Sequence, residues 1–363
     1  MIAIFRLVSS PLKALCLASA LLLCQGISAQ ELQLRVDDIV APNFRLQGIV
    51  ARVSLATPAA LNLSIDQATF QGREWRKLSL HCPKARIERD WIACPKGVLE
   101  GVLDSGEKIS LSFQYWPAQR SLELVLQPAA GERWQAALNW RSGKLAANVQ
   151  VVNGKAVRIN DWLPTQGMRF SQGALDLRAT LEAQDAGRNR IDVAATLRKV
   201  AFSDAAGNHA GEKLDGAFSL QAEQADTWRW RAKVDWRAGE VFWQPFYFAP
   251  GVRGLSAQGT FSAQQAVVEQ AALTWAGIGT VAFNGAWDRK LAQFEQFALS
   301  GKTLALDELY RTFLKPIAPA GMLRSLALSG SGSGQLRFQQ GALQEATLTI
   351  RQGGIRHEAK EFS

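Results

Sequence analysis

The sequence contains few of the residues from which catalytic and metal sites are built. Its 363 residues include three histidines, His81, His209 and His357, which lie far apart and lack metal-ligand spacing. His209 stands in a turn flanked by glycines, where we expect it to be solvated. No Gly-x-Ser-x-Gly elbow, phosphate-binding loop or dinucleotide fingerprint occurs. We therefore predict a protein that is not an enzyme and that has no catalytic residue, metal site or cofactor.

Cysteine is equally scarce, and its placement indicates a structural role. Two of the four cysteines precede residue 30, which leaves Cys82 and Cys94, each the first residue of a Cys-Pro-Lys tripeptide. Alternating apolar residues around both cysteines predict two adjacent strands joined by residues 85–91. One nearby histidine does not complete the four ligands of a zinc site. We predict a disulfide between Cys82 and Cys94 in an oxidising compartment, and a redox or metal site is the less favoured alternative.

Long hydrophobic runs are also missing. The stretch Ala14–Cys24 has eleven residues without a charge, too few to span roughly 30 Å of hydrocarbon as a helix. Arg6 and Lys13 precede it, and no acidic residue occurs before Glu31. This pattern is typical of a secretory signal, which we assign to residues 1–29. An uncleaved N-terminal anchor is the alternative, and a lipoprotein signal is less favoured.

Clustered positive charge is absent as well, although the chain is basic. The formal net charge of +9 falls to 9 − 2 = +7 when Arg6 and Lys13 leave with the signal. The remaining basic residues alternate along the chain instead of forming a patch with stacking aromatics, so we predict no nucleic-acid partner. A basic surface of this kind favours contact with an anionic membrane surface.

What the sequence does contain is a strict alternation of apolar and polar residues. In the clearest segment Trp228, Trp230, Ala232, Val234 and Trp236 alternate with Arg229, Arg231, Lys233, Asp235 and Arg237. Only an extended strand places these two sets on opposite faces. Similar segments recur about every 10 to 12 residues with turn signals between them, which predicts a mainly β chain built as a long antiparallel meander.

Two segments interrupt the alternation with helical spacing. Val157–Leu163 is followed by Pro164, and Leu304–Leu314 has its apolar residues at helical intervals before Pro316. We predict two short helices here. The predicted organisation is a signal at 1–29, an N-terminal β block at 30–155 with the disulfide hairpin, and a second β block at 156–363 with the helix near 304–314.

Two stretches of the second block carry a resemblance to a known family. The first runs from Asn160-Asp161-Trp162-Leu163-Pro164 to the strand at Gly173–Leu177, and the second runs from Leu304–Tyr310 to Leu314-Lys315-Pro316. Together they resemble the AsmA-like superfamily of Gram-negative envelope proteins, which includes the TamB and YdbH types. The resemblance implies a twisted, U-shaped β-groove with an apolar lining, or an open sandwich, and a role in passing phospholipid between membranes.

We therefore predict a periplasmic protein, either free or membrane-associated, that binds or transfers lipid and helps to maintain the outer membrane. Its partners would be a phospholipid or another acyl-chain lipid, with a membrane surface or envelope proteins. The predicted groove-lining residues are Phe218, Trp228, Trp230, Trp236, Phe261, Phe283 and Trp287. The alternative is a non-catalytic envelope scaffold or assembly accessory in which a closed β-sandwich fills this apolar face with its own side chains.

Overall fold

The computed structural model describes residues 31–357 except 42–43, 71, 104, 142, 163–166, 185–186 and 318–324. The predicted signal segment lies outside these residues. The described chain is mainly β, and its 20 strands belong to one antiparallel sheet with two short α-helices. The predicted fold class, a long antiparallel meander with short helices, is therefore confirmed.

The strands follow one another with short connections. The first nine are β1 (Glu31–Ala41), β2 (Phe44–Ser54), β3 (Ala59–Phe70), β4 (Arg73–Ile87), β5 (Ile92–Glu100), β6 (Ile109–Trp116), β7 (Ser121–Gln127), β8 (Arg133–Arg141) and β9 (Lys144–Lys155). A 3₁₀ turn (Ala156–Arg158) and helix α1 (Ile159–Trp162) precede β10 (Met168–Gln184), β11 (Asn189–Asp204) and β12 (His209–Gln224). Then come β13 (Trp228–Trp243), β14 (Phe246–Phe248), β15 (Arg253–Phe261), β16 (Gln265–Trp275), β17 (Gly279–Asp288), β18 (Gln293–Ala305), α2 (Leu306–Leu309), β19 (Leu326–Gln339) and β20 (Ala342–His357).

The chain divides into two compact units. Unit 1 comprises residues up to 166 together with 175–190, and unit 2 comprises 167–174 together with 191–363. In unit 1 each strand from β1 to β9 pairs antiparallel with the next. In unit 2 the same pattern runs from β12 to β20, except that β14 and β15 both pair with β13.

The core of unit 1 surrounds the predicted disulfide. Cys82 on β4 and Cys94 on β5 are bonded, with their Cα atoms 5.9 Å apart, and both side chains are fully buried. Their neighbours in the buried cluster are Ala85, Val102, Leu103, Ile109, Leu111 and Leu126. The Cys-Pro-Lys segments occupy a gap in the β4–β5 ladder, which pairs His81 with Val98 and resumes at Arg86 and Ala93. The covalent bond therefore joins the two strands where backbone hydrogen bonding is interrupted.

Several glycines with positive φ lie at irregular positions of the sheet, where each one faces a positive-φ residue on the adjacent strand. Gly239 on β13 has φ +96°, and a Cβ at this position would lie 2.5 Å from the carbonyl oxygen of Lys213 on β12. Lys213 itself has φ +51°, and the β12–β13 register shifts beside it. The same arrangement joins Gly173 to Lys199 and Gly330 to Gln352. These glycines are required because an L side chain has neither the space nor the favoured φ there.

Replacing Gly239 with alanine should destabilise unit 2. The added Cβ would meet a backbone oxygen and would hold an unfavourable φ, which together cost about 2 kcal/mol or more. We expect the unfolding temperature to fall by roughly 4–8 °C, measured by circular dichroism. Gly207→Ala is the matched control, because Gly207 also has positive φ (+71°) but no atom of the described residues lies within 4 Å of its Cβ position. Equal shifts in the two variants would contradict the steric explanation.

Both predicted helical segments are helical in the structure, although each differs in detail. Residues 156–162 form a 3₁₀ turn followed by α1. In the second segment, residues 304 and 305 still belong to β18, and α2 begins at Leu306. The helix continues as a π-helical turn over Tyr310–Leu314, in which Lys315 N–H donates to the Tyr310 carbonyl at 2.8 Å. Leu306 and Tyr310 are buried, and Leu306 fills the space above Gly332 on β19.

Candidate functional site

The strand register of unit 2 brings all seven predicted groove-lining residues onto one face of the sheet. Residues directly opposite each other in an antiparallel pair project from the same face. The aligned rows that contain them are Phe218–Val234–Leu255–Leu273–Val281, Ala222–Trp230–Gly259–Val268–Gly285, Trp228–Phe261–Ala266–Trp287 and Ala257–Ala271–Phe283, and Trp236 pairs with Gly216 and Arg253. We call this surface, carried by β12, β13, β15, β16 and β17, the apolar face.

The opposite face of β12, β13 and β15 is mainly polar. Arg231 pairs with Gln221 and Gln258, and Lys233 pairs with Ser219 and Ser256. Arg231 and Lys233 are exposed to solvent. The alternation seen in the sequence therefore separates two faces of different chemistry in the folded sheet.

The large side chains of the apolar face are not enclosed. Phe218, Trp228, Trp230, Trp236, Phe261, Phe283 and Trp287 are all half-buried. The buried apolar residues described in unit 2 are mostly small or lie near the helix: Val200, Ala201, Ala222, Ala271, Ile278, Ala286, Leu306 and Tyr310. Partial exposure of so many aromatic side chains indicates a surface with capacity to take up another apolar group.

Aromatic clusters border the apolar face at both ends, and smaller side chains lie between them. At one end the rings of Trp287 and Phe294 are 4.8 Å apart, and Phe294 is 5.6 Å from Phe297. Phe294 is 50% exposed. Between the ends, the row Ala232–Ala257–Ala271 has small side chains, whereas in the neighbouring row the Trp230 ring lies against Gly259. The apolar face therefore combines small side chains with large aromatic ones.

The helical segment contacts the apolar face at its other end. Phe313 of the π-helical turn packs against Trp275 at 5.2 Å between ring centroids and against Phe248 at 6.1 Å. Phe248 also contacts Trp275 at 5.4 Å. The helical segment therefore contacts the row that contains Trp236, Arg253 and Trp275 at Trp275.

Arg253 is a buried cation within this aromatic end. It is 6% exposed, and its guanidinium carbon lies 4.5 Å from the Trp236 ring and 4.1 Å from the Trp275 ring. Its Nη1 donates to the Gly251 carbonyl at 3.3 Å and its Nη2 donates to the Ala249 carbonyl, whereas Nε–H has no acceptor among the residues that the structure describes. Burial lowers the pKa of the Arg253 guanidinium below its usual range.

Some of these residues were not predicted from the sequence. Arg253 had a usable signal, because it is a charge in phase with the apolar positions Leu255 and Ala257. His209 is not simply solvated as predicted: its Nδ1 lies 2.5 Å from an Asp204 carboxylate oxygen, and its ring packs 4.1 Å from that of Trp243. That hydrogen bond lowers the pKa of Asp204.

Comparisons with protein-family models, curated proteins and solved structures found no match to this chain. Among residues 31–357, gaps excepted, no helix has the length and hydropathy needed to cross a bilayer. The same residues contain no group of three or more side chains suited to hold a metal ion. The site is therefore interpreted from its own chemistry.

Proposed function

We propose that the apolar face of unit 2 binds the acyl chains of a lipid, and that the protein is a lipid-binding or lipid-transfer component of a Gram-negative envelope. The observation that carries the proposal is the alignment of seven half-buried aromatic residues on one face of five paired strands. The resemblance to AsmA-like proteins is consistent with it and is itself part of the proposal, as is a role in outer-membrane maintenance.

The dimensions of the face support this function. Trp228 and Trp236 are eight residues apart on β13, which corresponds to roughly 27 Å of extended strand. The hydrocarbon of one bilayer leaflet is roughly 15 Å thick, so an extended acyl chain fits along this length. These side chains are already half-buried, so covering the part of one tryptophan that is still exposed contributes up to about 2 kcal/mol, and several such side chains lie side by side here. An acyl chain on this surface would therefore be held mainly by apolar burial.

The disulfide supports the proposed location. A buried Cys82–Cys94 bond persists in oxidising compartments such as the periplasm, and the basic charge favours an anionic membrane surface. The second candidate function is an envelope scaffold in which a protein partner, instead of a lipid, covers the apolar face. The same exposed aromatic residues would serve such a partner.

Photo-crosslinking distinguishes the two candidates. Phe218 projects from the apolar face, whereas Ser219, the next residue, pairs with Lys233 on the polar face. We would place the photoreactive analogue p-benzoylphenylalanine at either position in the full chain, expressed in a Gram-negative host. We expect irradiation to attach lipid at position 218 and not at position 219, detected as a mass increase of the intact protein.

The outcomes separate the candidates clearly. Capture of protein alone from position 218 would favour the scaffold and contradict lipid binding. Equal lipid capture from both positions would show that contact is nonspecific, because the polar face of the same strand offers no apolar lining.

A further inference from the structure

Arg253 carries a charge that nothing described around it neutralises. No carboxylate lies within ion-pair distance of its guanidinium in the part of the chain that the structure describes. Asp235 belongs to the polar face and pairs with Lys233 at 3.1 Å, and Glu308 of the helical segment pairs with Arg311. A buried charge without a counter-ion is costly, and such groups normally have an ionic partner.

The neighbours of Arg253 orient the guanidinium without neutralising it. Trp236 on β13 and Trp275 on β16 flank it from the two strands that pair with β15. Cation–π contact and two backbone carbonyls stabilise the cation in place. The Nε–H group finds no acceptor in the described part of the chain, although the Nε atom is inaccessible to solvent. The Arg253 guanidinium is therefore held in a fixed orientation with one N–H donor unsatisfied. Guanidinium groups recognise phosphate and carboxylate through such donors.

We propose that Arg253 is the subsite for the anionic group, a phosphate or a carboxylate, of an amphiphile whose acyl chain lies on the apolar face. This inference rests on the proposed function and specifies its ligand class. Arg253 occupies the same face as Trp230 and Phe218 but stands at the end that the helical segment contacts. A ligand would place its charge at this end and extend its chain over Leu255 and Ala257 toward Phe261.

The test compares ligands that share a chain and differ in charge. The full-length protein would bind a neutral fluorescent monoacylglycerol, and palmitate or hexadecanol would displace it at neutral pH. Because a hydrogen bond to a charged group is stronger than a neutral one, we expect palmitate to bind about tenfold tighter than hexadecanol. In Arg253→Met this preference should disappear, while the affinity for hexadecanol stays within about twofold.

A second arginine provides the matched control. Arg289 stacks on Phe261 at 4.5 Å near the opposite end of the apolar face, but it is exposed and donates to the Ser262 carbonyl at 2.9 Å. Arg289→Met should retain the preference for palmitate. Arg253→Gln is a second variant that keeps an N–H donor for the backbone carbonyls, and it should also lose the preference. Thermal unfolding would confirm that each variant is folded.

Several outcomes would overturn the inference while leaving the proposed function intact. These are equal binding of palmitate and hexadecanol by the wild-type protein, or an unchanged preference in folded Arg253→Met or Arg253→Gln. A third arm adds inorganic phosphate alone: if phosphate raises the unfolding temperature through Arg253 while palmitate shows no preference, the subsite serves a free anion. Failure of both ligands to displace the probe would instead contradict the proposed function itself.

Discussion

Replacing Trp230 with glutamate is expected to lower the amount of lipid that co-purifies with the protein by about thirtyfold or more. Trp230 lies in the middle of the apolar face, between Ala222 and Gly259 in the aligned row. The substitution removes up to about 2 kcal/mol of apolar burial against the ligand, because Trp230 is already half-buried, and each 1.4 kcal/mol corresponds to a factor of ten. It also forces an acyl chain to cover a carboxylate, which adds a desolvation cost. Quantitative mass spectrometry of extracted lipid per mole of protein would measure the effect.

The matched control places the same side chain one residue further along. Arg231→Glu introduces a carboxylate on the polar face of β13, where Arg231 is exposed and pairs with Gln221 and Gln258. We expect its lipid content to remain within about twofold of the wild type. Phe218→Glu tests an independent position of the apolar face and should resemble Trp230→Glu. Equal lipid loss in Arg231→Glu, with all variants folded by circular dichroism, would argue against the apolar face as the binding surface.

The sequence predicted the faces of individual strands well because side-chain direction alternates with a period of two. Within β13 this rule places Trp228, Trp230 and Trp236 on the same side without any knowledge of the neighbouring strands. The register that joins them to Phe261, Phe283 and Trp287 depends on pairing between strands. Here the connections between these strands are short, so neighbours in sequence are also neighbours in the sheet except at β14, beyond which β15 also pairs with β13.

Bulges limit how far alternation can be extrapolated along one strand. On β16, Val268 and Ala271 both project from the apolar face although they are three residues apart, because the register shifts between them. Another shift precedes Trp287 in its pairing with β18. Such irregularities depend on contacts with the neighbouring strand, and the sequence of one strand does not locate them.

The contacts at the helical end of the apolar face could not be predicted from the sequence for a similar reason. The pattern at 304–314 predicts a helix, but its length is set by the sheet, which retains residues 304 and 305 in β18. The meeting of Phe313 with Trp275 joins residues that are 38 positions apart (313 − 275 = 38). Arg253 likewise depends on two tryptophans from different strands. Alternation gives the direction of each side chain but not its partner.

Removing the disulfide is expected to destabilise unit 1 by about 3 kcal/mol. Cys82 and Cys94 are twelve residues apart, and closing a loop of this size reduces the entropy of the unfolded chain by about that amount. Both sulfur atoms also fill the core beside Ile109 and Leu111, so the double replacement Cys82→Ala, Cys94→Ala loses packing in addition. The ladder between β4 and β5 is interrupted at the same place, so backbone hydrogen bonds do not compensate for the lost link.

Hydrogen exchange measured by mass spectrometry would localise the effect. A loss of about 3 kcal/mol should accelerate exchange in peptides from β4 to β6 by about a hundredfold, if these amides exchange through opening of that core. Peptides from β15 to β17 in unit 2 serve as the internal reference, and we expect their exchange to change by less than about twofold. Treating the wild type with a reductant should reproduce the pattern without any substitution. If β4–β6 exchange is unchanged in both experiments, the bond does not stabilise this core; equal acceleration in β15–β17 would mean that the effect is not confined to unit 1.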